Sequence, residues 1–224
     1  MSQYEIEIKS LLGSKEKADE LIQKMKENDP SFAELGGHRQ LNHYFVGGDL
    51  SLLYRNLVSF IAPEKQDAFK QITHQAKDYS IRTRNADGKV IFVMKASVDD
   101  TTSSNGTARM EFESLVELSL DELDKIVLDS GFEYQAKWSR ERQDFKYQGM
   151  NVSIDRNAGY GYLAEFENVI DDKSKADEAK SLIRSKMDEL GIAELAQDRL
   201  ERMFDYYNKN WRDYYGTEKT FVIE

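Results

Sequence analysis

Charged residues recur two apart along this sequence, and their signs are sorted. Glu5, Glu7 and Lys9 alternate with Ile6 and Ile8. Arg82 and Arg84 flank Thr83, Lys95 stands between Met94 and Ala96, and Glu111 and Glu113 flank Phe112. Further on come Arg140 and Arg142, then Ser153 and Asp155 around Ile154, then Glu165 and Glu167 around Phe166. Residues two apart share one face of a strand. Arg82, Arg84, Lys95, Arg140 and Arg142 suit a polyanion, because guanidinium forks grip phosphate oxygens in pairs. Glu5, Glu7, Glu111, Glu113, Asp155, Glu165 and Glu167 suit hard divalent cations, which prefer oxygen ligands. Bases, carboxylates and a divalent metal together describe a polyphosphate site, and the chemistry is phosphoryl or nucleotidyl transfer. A solvated sheet face would explain any one of these strands. It explains less well why basic pairs and acidic pairs fall on different strands.

The elements that must carry these residues can be read from periodicity. Strands are predicted at 4–9, 40–46, 79–84, 89–96, 107–118, 132–147, 150–156 and 162–170, with a last short one at 221–223. The tetrapeptide Asn85-Ala86-Asp87-Gly88 makes a hairpin turn, and Gln148-Gly149 another. Helices are predicted at 15–27, 120–130, 173–190 and 194–215, with a helical stretch at 50–77 broken near Pro63 and a loop at 98–107. The charged faces need partners and the apolar faces need cover. One geometry satisfies both: an α+β chain built on an eight-stranded antiparallel β-barrel with a charged tunnel, helices packed outside and a helical C-terminal segment. The expected domains are a tunnel domain over 1–170, with a helical insertion at about 50–78, and C-terminal helices over 171–224 packed on it.

Composition narrows the function classes. The chain has 224 residues, a formal charge of −10 and no cysteine. Disulfides, thiolate metal sites and a cysteine nucleophile are thereby excluded. The acidic balance argues against general nucleic-acid binding. No apolar run approaches a membrane span, and the acidic start is no secretory signal, so a cytoplasmic protein is expected. Phosphate-loop, dinucleotide, zincin and nucleophile-elbow motifs are all missing. His38, His43 and His74 read as surface or hydrogen-bonded histidines, and the triplets at Asn105 and Asn151 carry no meaning without a signal peptide. Phe204, Tyr206, Tyr207, Trp211, Tyr214 and Tyr215 form a dense aromatic group, read as packing against the barrel, with a homodimer contact or a base-stacking surface as the alternatives. Tyr44 is read as packing or as reaching into the tunnel, Lys137 and Trp138 as surface residues with a place at the tunnel mouth as the alternative, and Arg109 as a partner of Glu111.

In order along the chain, Glu5-Ile6-Glu7-Ile8-Lys9, Tyr44-Phe45, Arg82-Thr83-Arg84, Lys95, Glu111-Phe112-Glu113, Arg140 to Phe145, Asp155, the glycine turn at 159–161 and Glu165-Phe166-Glu167 resemble the motifs of the CYTH superfamily, the triphosphate tunnel metalloenzymes. Each motif is weak alone; the ordered set is specific. The resemblance implies an eight-stranded tunnel holding a triphosphate-containing small molecule, with one or two Mg²⁺ or Mn²⁺ ions. Known activities of the superfamily are hydrolysis of thiamine triphosphate, inorganic triphosphate or nucleoside triphosphates, and class IV adenylate cyclase. Two stretches depart from the smaller members, the helical one near 50–77 and the C-terminal helices, and both alter the tunnel mouths.

Carried onto this sequence, the resemblance gives Lys9, Arg82, Arg84, Lys95, Arg140 and Arg142 to the substrate. It gives Glu5, Glu7, Glu113, Asp155, Glu165 and Glu167 to metal. Glu7 or Glu167 would orient the attacking water, and Lys9 or Lys95 would protonate or stabilise the leaving oxygen. The first reading is a metal-dependent triphosphatase. The second is an adenylate cyclase making cyclic AMP and pyrophosphate from ATP. The third is a non-catalytic polyphosphate or nucleotide binder.

Overall fold

The structure, a computed structural model, describes residues 4–97 and 110–224. The loop expected at 98–107, the strand residues 107–109 with Arg109, the triplet at Asn105 and the first three residues lie outside the described residues. Among those described there are eight strands in one antiparallel sheet and six α-helices, the α+β architecture expected. The strands are β1 (Tyr4–Gly13), β2 (Ala33–Gly47), β3 (Asp78–Ala86), β4 (Lys89–Ser97), β5 (Met110–Leu115), β6 (Phe132–Tyr147), β7 (Met150–Asn157) and β8 (Gly161–Ile170). The helices are α1 (Lys15–Asn28), α2 (Leu50–Leu57), α3 (Gln66–Gln75), α4 (Leu120–Asp129), α5 (Ala176–Leu190) and α6 (Gln197–Tyr214). The sheet order is β1-β8-β7-β6-β2-β3-β4-β5.

The chain divides into two compact units. One is Met1–His38 with Ser139–Glu224; the other is Arg39–Trp138. The long strands β2 and β6 contribute to both.

In the first unit Ile6 and Ile8 of β1, Ala164 and Phe166 of β8, Val152 and Ile154 of β7, and Phe145 and Tyr147 of β6 form one buried face. Ala18, Leu21 and Met25 of α1 cover it, together with Ala179, Ile183, Met187 and Leu190 of α5. These spacings of three and four place each set on one side of its helix. Ser14 caps α1 by accepting from the Lys17 amide, and Asp29 closes it with its amide on Met25. The turn at Gln148-Gly149 has positive φ at both residues, 44° and 83°, as a two-residue hairpin turn requires.

The second unit repeats the plan. Phe45, Ile81, Phe92, Met94, Ala96 and Phe112 face Leu53 and Leu57 of α2, Phe69 and Ile72 of α3, and Leu123 and Val127 of α4. The helical stretch expected at 50–77 breaks just before Pro63, as read. The α4 start is a full capping box: Ser119 Oγ accepts from the Glu122 amide while Glu122 Oε2 accepts from the Ser119 amide.

Two expectations need correction. β2 begins at Ala33 rather than near 40, because Gly36-Gly37 breaks the alternation without ending the strand. The strand expected at 221–223 does not form. A single parallel bridge joins Thr220 to Gly159, and Phe221 turns into the aromatic group instead, 5.4 Å from Tyr160. Within that group Tyr207 and Trp211 are buried, whereas Phe204 and Tyr206 stay exposed. No helix among the described residues is long and apolar enough to cross a membrane.

Candidate functional site: two charged sheet faces

The face opposite each apolar core carries the charged residues. In the first unit the register puts Lys9 opposite Glu165 and Glu7 opposite Glu167, then Ser153 beside Glu165 and Asn151 beside Glu167. On the next strand Arg142 lies opposite Asp155 and Asp144 opposite Ser153. Residues opposite one another in a sheet point the same way, so these side chains form one field. Their sequence neighbours point into the core. A one-residue slip would exchange the two sets, which is why the register is firmly held.

Asp155 anchors this field. It is wholly buried and receives three charge-assisted bonds: Arg142 Nε to Oδ1 at 2.7 Å, Arg142 Nη2 to Oδ2 at 2.7 Å, and Arg140 Nη1 to Oδ2 at 2.8 Å. Arg142 also meets Glu165. Lys9 Nζ donates to Glu165 Oε1 at 2.9 Å and pairs with Glu7 as well. Burial alone would push the Glu165 carboxyl up, but Lys9, Arg142 and Arg140 outweigh it and hold it well below the usual range. Burial likewise works against the Arg142 charge, and Asp155 and Glu165 more than restore it.

Glu167 is differently placed. Its oxygen accepts from Asn151 Nδ2 at 3.2 Å, and no cation pairs with it among the described residues. Glu5 stands exposed on the same strand face as Glu7. Asp155 and Glu165 thus neutralise the bases, Glu7 shares Lys9 with Glu165, and Glu5, Glu7 and Glu167 line one edge of the field. As they stand, no three acidic or histidine side chains converge on an ion position among the described residues. The donor chemistry of Glu5, Glu7 and Glu167, all carboxylate oxygen with Glu7 and Glu167 directly opposed, fits a hard divalent cation. Asp155 and Glu165 could join such a shell only by releasing their arginines.

A stability prediction follows from Glu165. Its folded-state pKa lies below its ordinary value of 4.5, so its contribution is complete above pH 4.5 and is lost as the pH falls through the folded value. Urea denaturation between pH 6 and 3 should show wild-type stability falling below about pH 4.5, and Glu165→Gln should flatten that fall. Parallel curves for the two proteins would refute the assignment.

In the second unit Arg82 lies opposite Tyr44 and Arg84 opposite Asn42. Arg84 Nε donates to Asn42 Oδ1 at 3.0 Å, and its Nη1 reaches Glu113 at 3.3 Å. Lys95 pairs with Glu111 at 3.0 Å. Arg82 stacks on the Tyr44 ring with its guanidinium carbon 4.5 Å from the centroid, and Trp138 meets that ring edge-on. No carboxylate pairs with Arg82 among the described residues, and its buried Nε has no hydrogen-bond partner. Tyr44 and Trp138 therefore serve this charged face, a role the sequence left open for both. Sequence reasoning placed Ser153 on the charged face but missed the other polar residues between the charges, Asn42, Asp144 and Asn151. Their strand parity was the available signal.

No family model matches the chain, and no curated protein matches it. Solved structures do. The PH1012 protein of Pyrococcus horikoshii is 16% identical, with 84% of this chain and 91% of that chain covered and a TM-score of 0.58. The PH1819 protein of the same organism is 19% identical over 87% and 94% of the two chains, also with a TM-score of 0.58. A candidate adenylate cyclase from Vibrio parahaemolyticus is 13% identical over 92% and 99%, with a TM-score of 0.59. The chain has the CYTH fold. At such identities the likeness concerns the path of the backbone. What is particular to this chain is the pair of charged faces described above.

Proposed function

We propose that this chain is a metal-dependent enzyme of the CYTH superfamily that hydrolyses triphosphate substrates. The observation that carries the reading is the Arg140–Asp155–Arg142 cluster beside the opposed glutamates Glu7 and Glu167, all on one sheet face. Two guanidinium groups locked side by side by a buried carboxylate are preorganised for phosphate oxygens, and preorganised charge is the usual source of catalysis in phosphoryl transfer. The ordered motif set assigns Arg82, Arg84 and Lys95 to the same substrate.

Glu5, Glu7 and Glu167 would hold Mg²⁺ or Mn²⁺, with Glu113, Asp155 and Glu165 as further oxygen donors once their cations turn to the substrate. The metal when bound would supply Lewis-acid polarisation of phosphate oxygen. The remaining work belongs to the chain. Arg140, Arg142, Arg82 and Arg84 bind the phosphate chain and offset the charge that grows on its oxygens. Glu167 orients water, because no base neutralises it among the described residues. Lys9, or Lys95 in the second unit, donates its ammonium proton to the leaving oxygen.

Class IV-type adenylate cyclase is the second reading. It is favoured by the Vibrio parahaemolyticus neighbour and by Ile8 within the first motif, where hydrolases more commonly carry arginine. The grip on the triphosphate is common to both. A non-catalytic polyphosphate binder is the remaining alternative.

Incubation with Mg²⁺ or Mn²⁺ and inorganic triphosphate, thiamine triphosphate or ATP, read by phosphorus NMR, separates these readings. Orthophosphate release is expected and its source names the substrate. Pyrophosphate with cyclic AMP would establish the cyclase. Tight binding without turnover of any of the three would establish the binder.

A further inference from the structure

One buried polar cluster lies on the wrong side of the sheet for catalysis. Asp124 sits on α4 within the stripe Leu120, Leu123 and Val127, where an apolar residue would pack. It is almost entirely buried. His43 Nδ1 lies 2.6 Å from its Oδ2, Thr83 Oγ1 donates to Oδ1 at 2.5 Å, and the Tyr134 hydroxyl donates to Oδ2 at 2.6 Å. Lys137 Nζ is 3.8 Å away and lies over the Tyr134 ring. Burial opposes the Asp124 charge, yet these donors together keep its pKa below the ordinary carboxylate value. An ionised carboxylate only accepts, so His43 presents Nδ1–H to it.

The register shows what the cluster holds. Three consecutive rungs join β2 to β3: Asn42 with Arg84, His43 with Thr83, and Tyr44 with Arg82. The outer two rungs point to the charged face, where Asn42 holds Arg84 and Tyr44 carries Arg82. The middle rung points to the helices, and both of its side chains end on Asp124. A buried carboxylate is a poor way to gain stability compared with an apolar residue, but its bonds have direction.

We propose that Asp124 is a positioning residue for Arg82 and Arg84: by bolting the rung between them to α4, it fixes where the two guanidinium groups meet a phosphate chain. This rests on the triphosphate reading above. The functional consequence is that affinity for the phosphate chain depends on a residue that never touches it.

The test is calorimetric titration with inorganic triphosphate in EDTA, at a temperature where circular dichroism shows every variant folded. Arg82→Ala and Asp124→Asn should each weaken binding by about tenfold or more, the lower end of what loss of an outer hydrogen-bond partner costs a binding group. The double variant should lose clearly less than the product of the two single losses, because the part of the Asp124 effect that acts through Arg82 is already gone while the part through Arg84 remains. Val127→Ala, on the same helix and in the same core, should leave affinity within about twofold of wild type. Should Asp124→Asn fail to fold, Thr83→Val removes one bond of the same rung at nearly constant shape and should weaken binding in the same direction. Multiplicative losses, or an Asp124→Asn effect no larger than that of Val127→Ala, would overturn the assignment alone. Unchanged affinity in Arg82→Ala would overturn the triphosphate reading with it.

Discussion

Asp155→Ala is expected to lower the unfolding free energy by about 3–5 kcal/mol, the usual cost of removing one partner from a buried ion pair. The residue is wholly buried and its oxygens carry bonds of 2.7, 2.7 and 2.8 Å from two arginines. Alanine leaves Arg140 and Arg142, each with a side chain only 17% exposed, short of their shared counter-charge. In a chain of this size the thermal midpoint should fall by roughly 6–20 °C. The same variant should bind inorganic triphosphate more weakly than wild type, because nothing then holds the two guanidinium groups side by side. Added inorganic triphosphate should therefore raise the midpoint of Asp155→Ala by less than that of wild type. Thermal unfolding with and without the anion, in EDTA, checks both effects. A loss below about 1 kcal/mol would place Asp155 among weakly coupled surface charges and end the argument for a preorganised arginine pair.

Glu167→Gln is expected to cost about 10²–10³-fold in metal-dependent turnover, the range seen when a key electrostatic group is lost. The substitution keeps the shape and can still accept from Asn151, so stability should hardly change. Binding of inorganic triphosphate in EDTA should persist, since Glu167 has no base to release. The contrast is with Glu165→Gln, which loosens Lys9 and Arg142 and should alter anion binding and acid stability as well. Turnover of Glu167→Gln within about threefold of wild type, far short of that range, would remove it from the proposed chemistry.

The two faces were legible in the sequence because strand parity is a strict code. Glu5, Glu7 and Lys9 had to share a side, and the segregation of signs marked that side as something other than a solvated surface. The hairpin at Asp87-Gly88 was equally plain, with φ of 47° and 86° at its two turn residues. The start of β2 was hidden because Gly36 and Gly37 carry no side chains to alternate. The strand expected at 221–223 failed for the opposite reason: alternation was too short to mean pairing, and Phe221 had aromatic neighbours to join. Pairing between charges was not legible at all. Nothing in the spacing says that Asp155 and Glu165 neutralise arginines while Glu167 does not, since that depends on which strands become neighbours. Asp124 was hidden more deeply, as one acid among several in Leu120–Asp129, distinguished only by falling on the buried stripe.

The place of β1 in the sheet has a consequence in time. Its only described strand partner is β8, and Lys9 meets Glu165 across 156 residues of chain. During synthesis at about 5–20 residues per second, the first motif waits roughly 8–30 s for the strand that completes it. Throughout that interval Ile6 and Ile8 lack the sheet that later buries them. A nascent chain stalled before residue 161 would carry Glu5, Glu7 and Lys9 on a ribbon with no neighbour. It would be a target for chaperones, and it could not bind the substrate that the finished protein is proposed to hold.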